Sequence, residues 1–463
     1  MKNADCFINE KDYPDLKYDR AVRNLQSAIR FRTVNHLDTG LTDYSQFDAL
    51  HAFLRSSYPL LALNARWEKI GHSLLICLNG SDETLLPALF MAHQDVVPVV
   101  EGTEKNWVHG PFSGDLEDGF IWGRGAMDIK QMLIAEMESA EYLLSKGCLP
   151  RRGIYFAFGE DEETCSRGAM AIVERLEKEG VRFKYVLDEG AGDVTDAEDW
   201  GAPGTHICTV GMYEKGYADL KISASSRGGH SSNPFYGTSL GALADAIHAI
   251  THSMPPARLS DSLRASLKLL APSITQSPMR EWVRDIGSHE NEILQWFSGR
   301  ESLYHLVKTT AAPTMISPGA PAGNVMPQDM WAVINFRLIP SDTPEGLMER
   351  FSAAAGKSVS LSWQQQISAS VPSDLNSYGY GELVGTLEHY FDGLRFIPAQ
   401  NKGATDARHY EGLSRCVMRF GPFLEEEDIS REGIHGTNER ISVRAFAQGV
   451  RVLTRFMERT CFI

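Results

Sequence analysis

Four carboxylates stand in a row at Glu160, Asp161, Glu162 and Glu163, in the stretch FGEDEETCSRG, directly after the apolar run GIYFAFG. Like charges at the mouth of a buried element repel one another, and burial pushes them towards protonation. A bound cation offsets both effects. The plainer reading is a solvated turn with no chemistry. Elsewhere the chain supplies partners for the cation. His93 and Asp95 close the apolar run LLPALFMAH, and Asp128 opens a helical pattern in GRGAMDIK. Asp188 and Glu189 close FKYVLDEG, and His435 lies in GIHGTNER ahead of the last helical stretch. Histidine and carboxylate donors gathered in this way suit a divalent ion of the zinc type, or a pair of them. With two ions ~3.5–4 Å apart one carboxylate must bridge them, and a water held there becomes hydroxide near neutral pH. Taken singly, each residue has a duller role: a structural histidine, a helix cap at Asp128, a turn at Asp188. Their conjunction carries the chemistry. Asp188 and Glu189 both remain open as the ligand of their segment.

These residues need elements to position them. Through the first two hundred residues, short apolar runs alternate with stretches of helical spacing such as KQMLIAEMESAEYLLSKG and AMAIVERLEKEG. Strand–helix alternation predicts an α/β domain with a mostly parallel sheet, whose functional groups gather beyond the C-terminal strand ends. The pattern then changes. YADLKISASS, DMWAVINFRLI and SVSLSWQQQ alternate with period two, and helical stretches lie between them, one opened by Thr343. This predicts a two-layer α+β insert at residues 214–366, splitting the first domain into 1–213 and 367–463. The stretch from Pro255 to Lys308 reads as irregular and partly helical, and SVRAFAQGVRVLTRFMERT as an amphipathic helix returning to the first sheet.

Composition narrows the class. The chain has 463 residues, 43% hydrophobic and 23% charged, which is ordinary for a soluble globular protein. Its formal net charge of −15 argues against nucleic acid or an anionic membrane as the main partner. The N-terminal stretch carries no apolar core of the signal-peptide kind, and no run is long enough to span a membrane. Seven scattered cysteines form no CxxC pair. A soluble protein of a reducing compartment, most simply the cytoplasm, is expected.

The pieces AHQDVVPV, WVHGPFSGDLEDGFIWGRGAMDIK, GEDEET, LDEG, GGHSSNP, GNVMP, NFRLIP, GATDAR and GIHGTNER occur in one order from about residue 91 to 440. In this the chain resembles the zinc aminoacylase/carboxypeptidase metallopeptidase family, most closely its carboxypeptidase S branch. The resemblance implies a zinc-peptidase catalytic domain with an inserted ferredoxin-like lid that makes a homodimer. It implies two zinc ions, with cobalt or manganese as substitutes. His93 and Asp188 would hold one, Glu163 and His435 the other, and Asp128 would bridge. Asp95 would orient His93, and Glu162 would be the general base towards a metal-bridged hydroxide. His230 would complete the partner subunit's site by stabilising an oxyanion. Asn324 and Arg337 would grip the substrate's free carboxylate, and the loop with Gly403, Asp406 and Arg408 would line the pocket. The implied reaction is hydrolysis of an amide next to a free carboxylate, in a small peptide or an N-acyl amino acid. Deacylation or desuccinylation of a particular metabolite is the variant, and a non-catalytic metal-binding relative would lack the base or a ligand.

One rival pattern stands in GTSLG, Gly237 to Gly241, which satisfies the G-x-S-x-G elbow of serine hydrolases. An elbow needs a strand directly before it, and SSNPFY with Pro234 is a poor strand; Ser239 reads as a helix cap.

Overall fold

The structure, a computed structural model, describes residues 12–401, 403–425 and 433–463. Residues 1–11, which carry part of the reading of the N-terminus and one of the seven cysteines, lie outside the described residues. The chain divides into two compact units.

The first unit comprises the chain up to Ala197 with Gly204–Met212 and Ser373–Ile463. Its nine-stranded sheet has four parallel strands at the centre: Ile154–Gly159, Ala88–His93, Tyr185–Asp188 and Val417–Arg419. Antiparallel strands extend it, Ser73–Leu78 and Arg66–Ile70 on one side and His206–Glu214 on the other. Ala88–His93 is buried at every residue, which is why it reads as a continuous apolar run. In the register His93 pairs with Gly159, so the acid run begins one residue past the level of His93.

Helices cover both faces. Helix Lys130–Leu144 is buried along its whole length, and helix Val443–Met457 packs on it through Thr454 Oγ1 to Ser139 Oγ at 3.0 Å. Phe456 of the latter meets Phe90 and Tyr185 at ring distances of 6.0 and 5.2 Å, so the C-terminal helix does return to the sheet. Helix Arg167–Lys178 covers the other face, with Ala169, Ile172 and Leu176 against Leu75, Leu89 and Val186.

The second unit, Tyr213–Pro372 with Glu198–Pro203, exceeds the expected insert on both sides. The early segment joins because Trp200 packs on Phe297 at 5.3 Å and the Gly201 carbonyl accepts from Thr275 and Gln276. An antiparallel sheet in the order Thr310–Ile316, Asp329–Leu338, Gly216–Ser225, Ser360–Ile367 carries helices Ser239–Thr251 and Pro344–Ala355 on one face. Ala218, Leu220, Ile222, Ile334 and Phe336 point to those helices, as the period-two pattern requires. Thr343 caps the second helix, its Oγ1 accepting from Gly346 N at 3.2 Å. The first is capped by Thr238, not Ser239. Ser239 is fully buried and donates to the Pro327 carbonyl, and no strand runs into it, so the serine-hydrolase geometry is absent here. The segment after Pro255 is more regular than expected, with helices Asp261–Leu270 and Glu290–Ser298. Among the described residues no helix is long and apolar enough to cross a membrane.

Phe351 is fully buried and stacks on Phe336 at 5.0 Å. Phe351→Ala is expected to cost ~3–5 kcal/mol in chemical denaturation, against ~1 kcal/mol for Thr343→Ala. Equal losses would mean that the cap matters as much to this unit as its core.

Candidate metal centre

Parallel strands deliver their C-terminal residues to one edge of the sheet, and the candidate ligands of the first unit lie there. His93 ends its strand, buried, with Nε2 3.1 Å from Asp128 Oδ1 and 3.3 Å from Glu189 Oε1. His435 Nε2 lies 3.0 Å from Asp128 Oδ2 and 3.0 Å from Glu163. Two groups thus share Asp128: His93, Asp128 and Glu189, and Asp128, Glu163 and His435, with the donor atoms of each within 4.8 Å of one another. Bonds of ~2.0–2.1 Å around a tetrahedral ion set donors ~3.3 Å apart, so both groups fit a zinc-sized ion. Their nitrogen and oxygen donors are the kinds such an ion takes.

The four acids of the run are held in different ways. Glu160 receives the backbone N–H of His72. Asp161 is buried and accepts from Gly168 N at 2.7 Å, capping the next helix. The N–H groups of Glu162 and Glu163 donate to Asp95 Oδ1 and Oδ2, each at 3.2 Å. Glu163 then faces His435. Asp95 does more than orient His93. His93 Nδ1 donates to the Asp95 main-chain carbonyl at 2.9 Å, with Oδ1 at 3.4 Å, while the carboxylate clamps the turn that carries Glu162 and Glu163.

One expected ligand is displaced. Asp188 Oδ2 accepts from Ala407 N at 2.9 Å and takes no place in either donor group, whereas its neighbour Glu189 does. Successive side chains along a strand point to opposite faces, so only one of the pair reaches His93.

The electrostatics call for cations. Burial pushes the Glu162 carboxyl well above the carboxylate range; His93 opposes this, and Glu189, Asp406 and Glu163 add to it. Burial also pushes Glu189 up to about 8 and Asp406 up to about 8, the latter reinforced by Asp188. Burial alone would lower His93, yet Glu189, Asp128 and Asp95 together carry it well above its ordinary value. His435 rises to about 10 through its bonds to Asp128 and Glu163. A divalent ion at either donor group would offset this crowding of carboxylates.

Sequence reasoning passed over Glu439 and Arg124. Buried Glu439 Oε1 accepts from Gly125 N, Met127 N and Asp128 N at 2.9, 2.9 and 3.2 Å, and Oε2 accepts from Arg124 Nη1 at 2.6 Å. Both stand inside quoted motifs, but nothing in a lone Arg and a lone Glu more than three hundred residues apart marks them as a pair. Asp406 sits against the strand end before the acid run, since a Cβ at Gly159 would lie 2.4 Å from its Oδ2. Gly403 is exposed, and its carbonyl accepts from Asn401 Nδ2.

Within the second unit, His230 and Asn324 are neighbours. His230 pairs with Val325 in a short ladder, Ser231 N donates to the Asn324 carbonyl, and His230 Nδ1 bonds Ser232 Oγ at 2.8 Å. Arg337 is exposed, with its guanidinium 4.8 Å from the Tyr217 ring centre.

A mainly parallel α/β sheet whose C-terminal edge gathers histidines and carboxylates around a shared aspartate defines a class, the metal-dependent hydrolases. Residues 89–459 match Peptidase family M20/M25/M40, and the chain belongs to that family. It is 34% identical over 437 residues to the N-fatty-acyl-amino acid synthase/hydrolase PM20D1 of Xenopus tropicalis, covering 92% of this chain and 82% of that protein. It is 32% identical over 449 residues to the probable carboxypeptidase S-like 2 of Dictyostelium discoideum, covering 95% and 84%. The fold matches the M20 family metallo-carboxypeptidase Sso-CP2 of Sulfolobus solfataricus with a TM-score of 0.65 at 18% identity, over 95% of this chain and 98% of that one. The protein is therefore a metallopeptidase or amidohydrolase enzyme that acts on amide bonds, and M20 metallopeptidases use a divalent metal.

Metal content after gel filtration, read by atomic spectrometry, checks the ligand set. Asp128→Asn is expected to abolish it and Glu189→Gln to lower it, while Asp188→Asn leaves it at the parent level. Loss with Asp188→Asn and retention with Glu189→Gln would reverse the assignment.

Proposed function

We propose that the chain is a two-zinc amidohydrolase that cleaves the amide bond of N-acyl amino acids, or the C-terminal bond of small peptides, next to a free carboxylate. The observation that carries this reading is the position of Asp128, one oxygen 3.1 Å from His93 Nε2 and the other 3.0 Å from His435 Nε2. A carboxylate with one oxygen towards each of two histidines suits two ions that share a ligand. His93 and Glu189 would hold one ion, Glu163 and His435 the other, with Asp128 common to both. Bound there, the ions supply Lewis acidity towards the scissile carbonyl and acidify water. Glu162 takes the proton of the attacking water and hands it to the leaving amine nitrogen. Its buried, charge-crowded setting supports this role, because a base with a raised pKa can also return the proton. Asp95 holds the Glu162 backbone while it does so.

The substrate side rests on motif resemblance and on the relatives. Arg337 presents a planar fork to the substrate's carboxylate, and the motif resemblance assigns Asn324 and Gly403 to the substrate as well. His230 stabilises the oxyanion from the other copy of a homodimer formed through the second unit. The names of the two relatives, a carboxypeptidase S-like protein and an N-fatty-acyl-amino acid synthase/hydrolase, both support a bond joining an acyl group to an amino acid. The six described cysteines are all free, which supports a reducing compartment, most simply the cytoplasm.

Glu162→Ala is expected to keep the metal content of the parent and lose ~10²–10⁴-fold in turnover, read by mass spectrometry on a panel of fatty-acyl amino acids, acetyl amino acids and dipeptides. Retained turnover would mean that another group is the base. Arg337→Lys is expected to raise KM for substrates with a free carboxylate while their carboxamide analogues, slow from the start, hardly change. An equal effect on both would make Arg337 a structural residue.

A further inference from the structure

Asp128 and His435 belong to segments far apart in the chain, yet one buried ion pair serves both. Glu439 Oε1 receives the three N–H groups of Gly125, Met127 and Asp128, which fixes the backbone from which the Asp128 carboxylate projects. Its partner Arg124 bonds Glu439 Oε2 with Nη1 and donates from Nη2 to the His435 carbonyl at 3.2 Å. Both side chains are almost fully buried, at 3% and 0% exposure. The join is continued on either side. Strand Arg440–Ser442 pairs antiparallel with Phe120–Trp122, and Gly123 N donates to the Glu439 carbonyl at 2.9 Å. Asn438 Oδ1 accepts from Val108 N at 2.7 Å. His435 and Asn438 hold left-handed backbones at φ 59 and 65, a conformation that His and Asn adopt more readily than most residues. The Arg124 bond to the His435 carbonyl ties that turn to the Asp128 segment.

We propose that Arg124 and Glu439 act as a latch that makes the Asp128 and His435 segments one rigid unit, so that both ion positions weaken together when it is broken. The inference rests on the two-ion reading above. Asp128 is common to both donor groups and His435 belongs to one, so a latch on both backbones touches each group, while His93, Glu163 and Glu189 are carried by three strand ends. Glu439 and Arg124 are positioning residues: neither lies in a donor group.

The test is a metal titration that needs no turnover. Zinc affinity is measured by competition with a chromophoric chelator, and the Co(II)-loaded proteins are compared by their visible absorption. The variants are Glu439→Gln and the double variant Arg124→Met/Glu439→Gln, which leaves no charge buried alone and so protects the fold. Glu138→Gln, which breaks the half-buried Arg20–Glu138 pair in the same unit, is the control for lost stability alone. Both latch variants are expected to bind each ion ~10–100-fold more weakly, with an altered Co(II) spectrum, while the control changes only the melting temperature. Parent-like affinity for either ion in the double variant would overturn the latch. Unchanged affinities with a lowered melting temperature would likewise reduce the pair to a structural role. A parent that binds both ions but hydrolyses no amide would sink the proposed reaction and leave the titration to decide the latch.

Discussion

The first unit depends on a concentration of negative charge that its own fold makes unavoidable. Parallel strands bring Asp95, the acid run and the Asp188–Glu189 pair to a single edge of the sheet, and Asp128 is set among them. Carboxylates so close, and so buried, cannot all remain ionised without positive charge between them. His93 and His435 supply part of it, one on each oxygen of Asp128. Divalent ions at the two donor groups would supply the remainder, and the surrounding hydrogen bonds hold the carboxylates in place.

Those hydrogen bonds give chemically similar residues different roles. Glu160 and Asp161 are tied to backbone N–H groups and finish the turn, Glu163 faces His435, and Glu162 is left free of such a tie at its carboxylate. Asp95 and Glu439 act alike in one respect. Each is a buried carboxylate that accepts backbone N–H groups of a segment bearing a ligand, two in one case and three in the other. Charge-assisted bonds of this kind are strong and directional, so they convert loops into supports firm enough for chemistry. Helix Lys130–Leu144 repeats the theme away from the site. Glu138 pairs with Arg20, and Glu141 accepts from Leu60 N and Leu61 N at the start of a neighbouring helix.

The acids of that helix also show why parts of the fold were hard to read from the chain. Glu138 and Glu141 are both buried, and their partners come from elements distant in sequence that no local pattern announces. The same limit hid Glu439 and Arg124, whose significance lies in each other. It also misplaced the choice within LDEG: two adjacent acids are equivalent on paper, and only the direction of the strand's last side chains separates Asp188 from Glu189. The segment Glu198–Pro203 was hidden for a related reason, since Trp200 joins the second unit through Phe297 and not through any local signal.

The sequence by itself determined the strand–helix alternation of the first unit, the period-two strands of the second, the cap at Thr343, and the choice of His93, Asp128, Glu163 and His435 as candidates, which the structure brings close together. Each of these is written either in a local pattern of polarity or in a short motif whose residues act together. Tertiary structure alone decided which carboxylate faces which histidine, which acids fall into the candidate donor groups and which bind backbone N–H groups instead, and which distant side chains hold the loops. A carboxylate's role is set by the groups within a few ångströms of it, and in this chain those groups come from segments hundreds of residues apart.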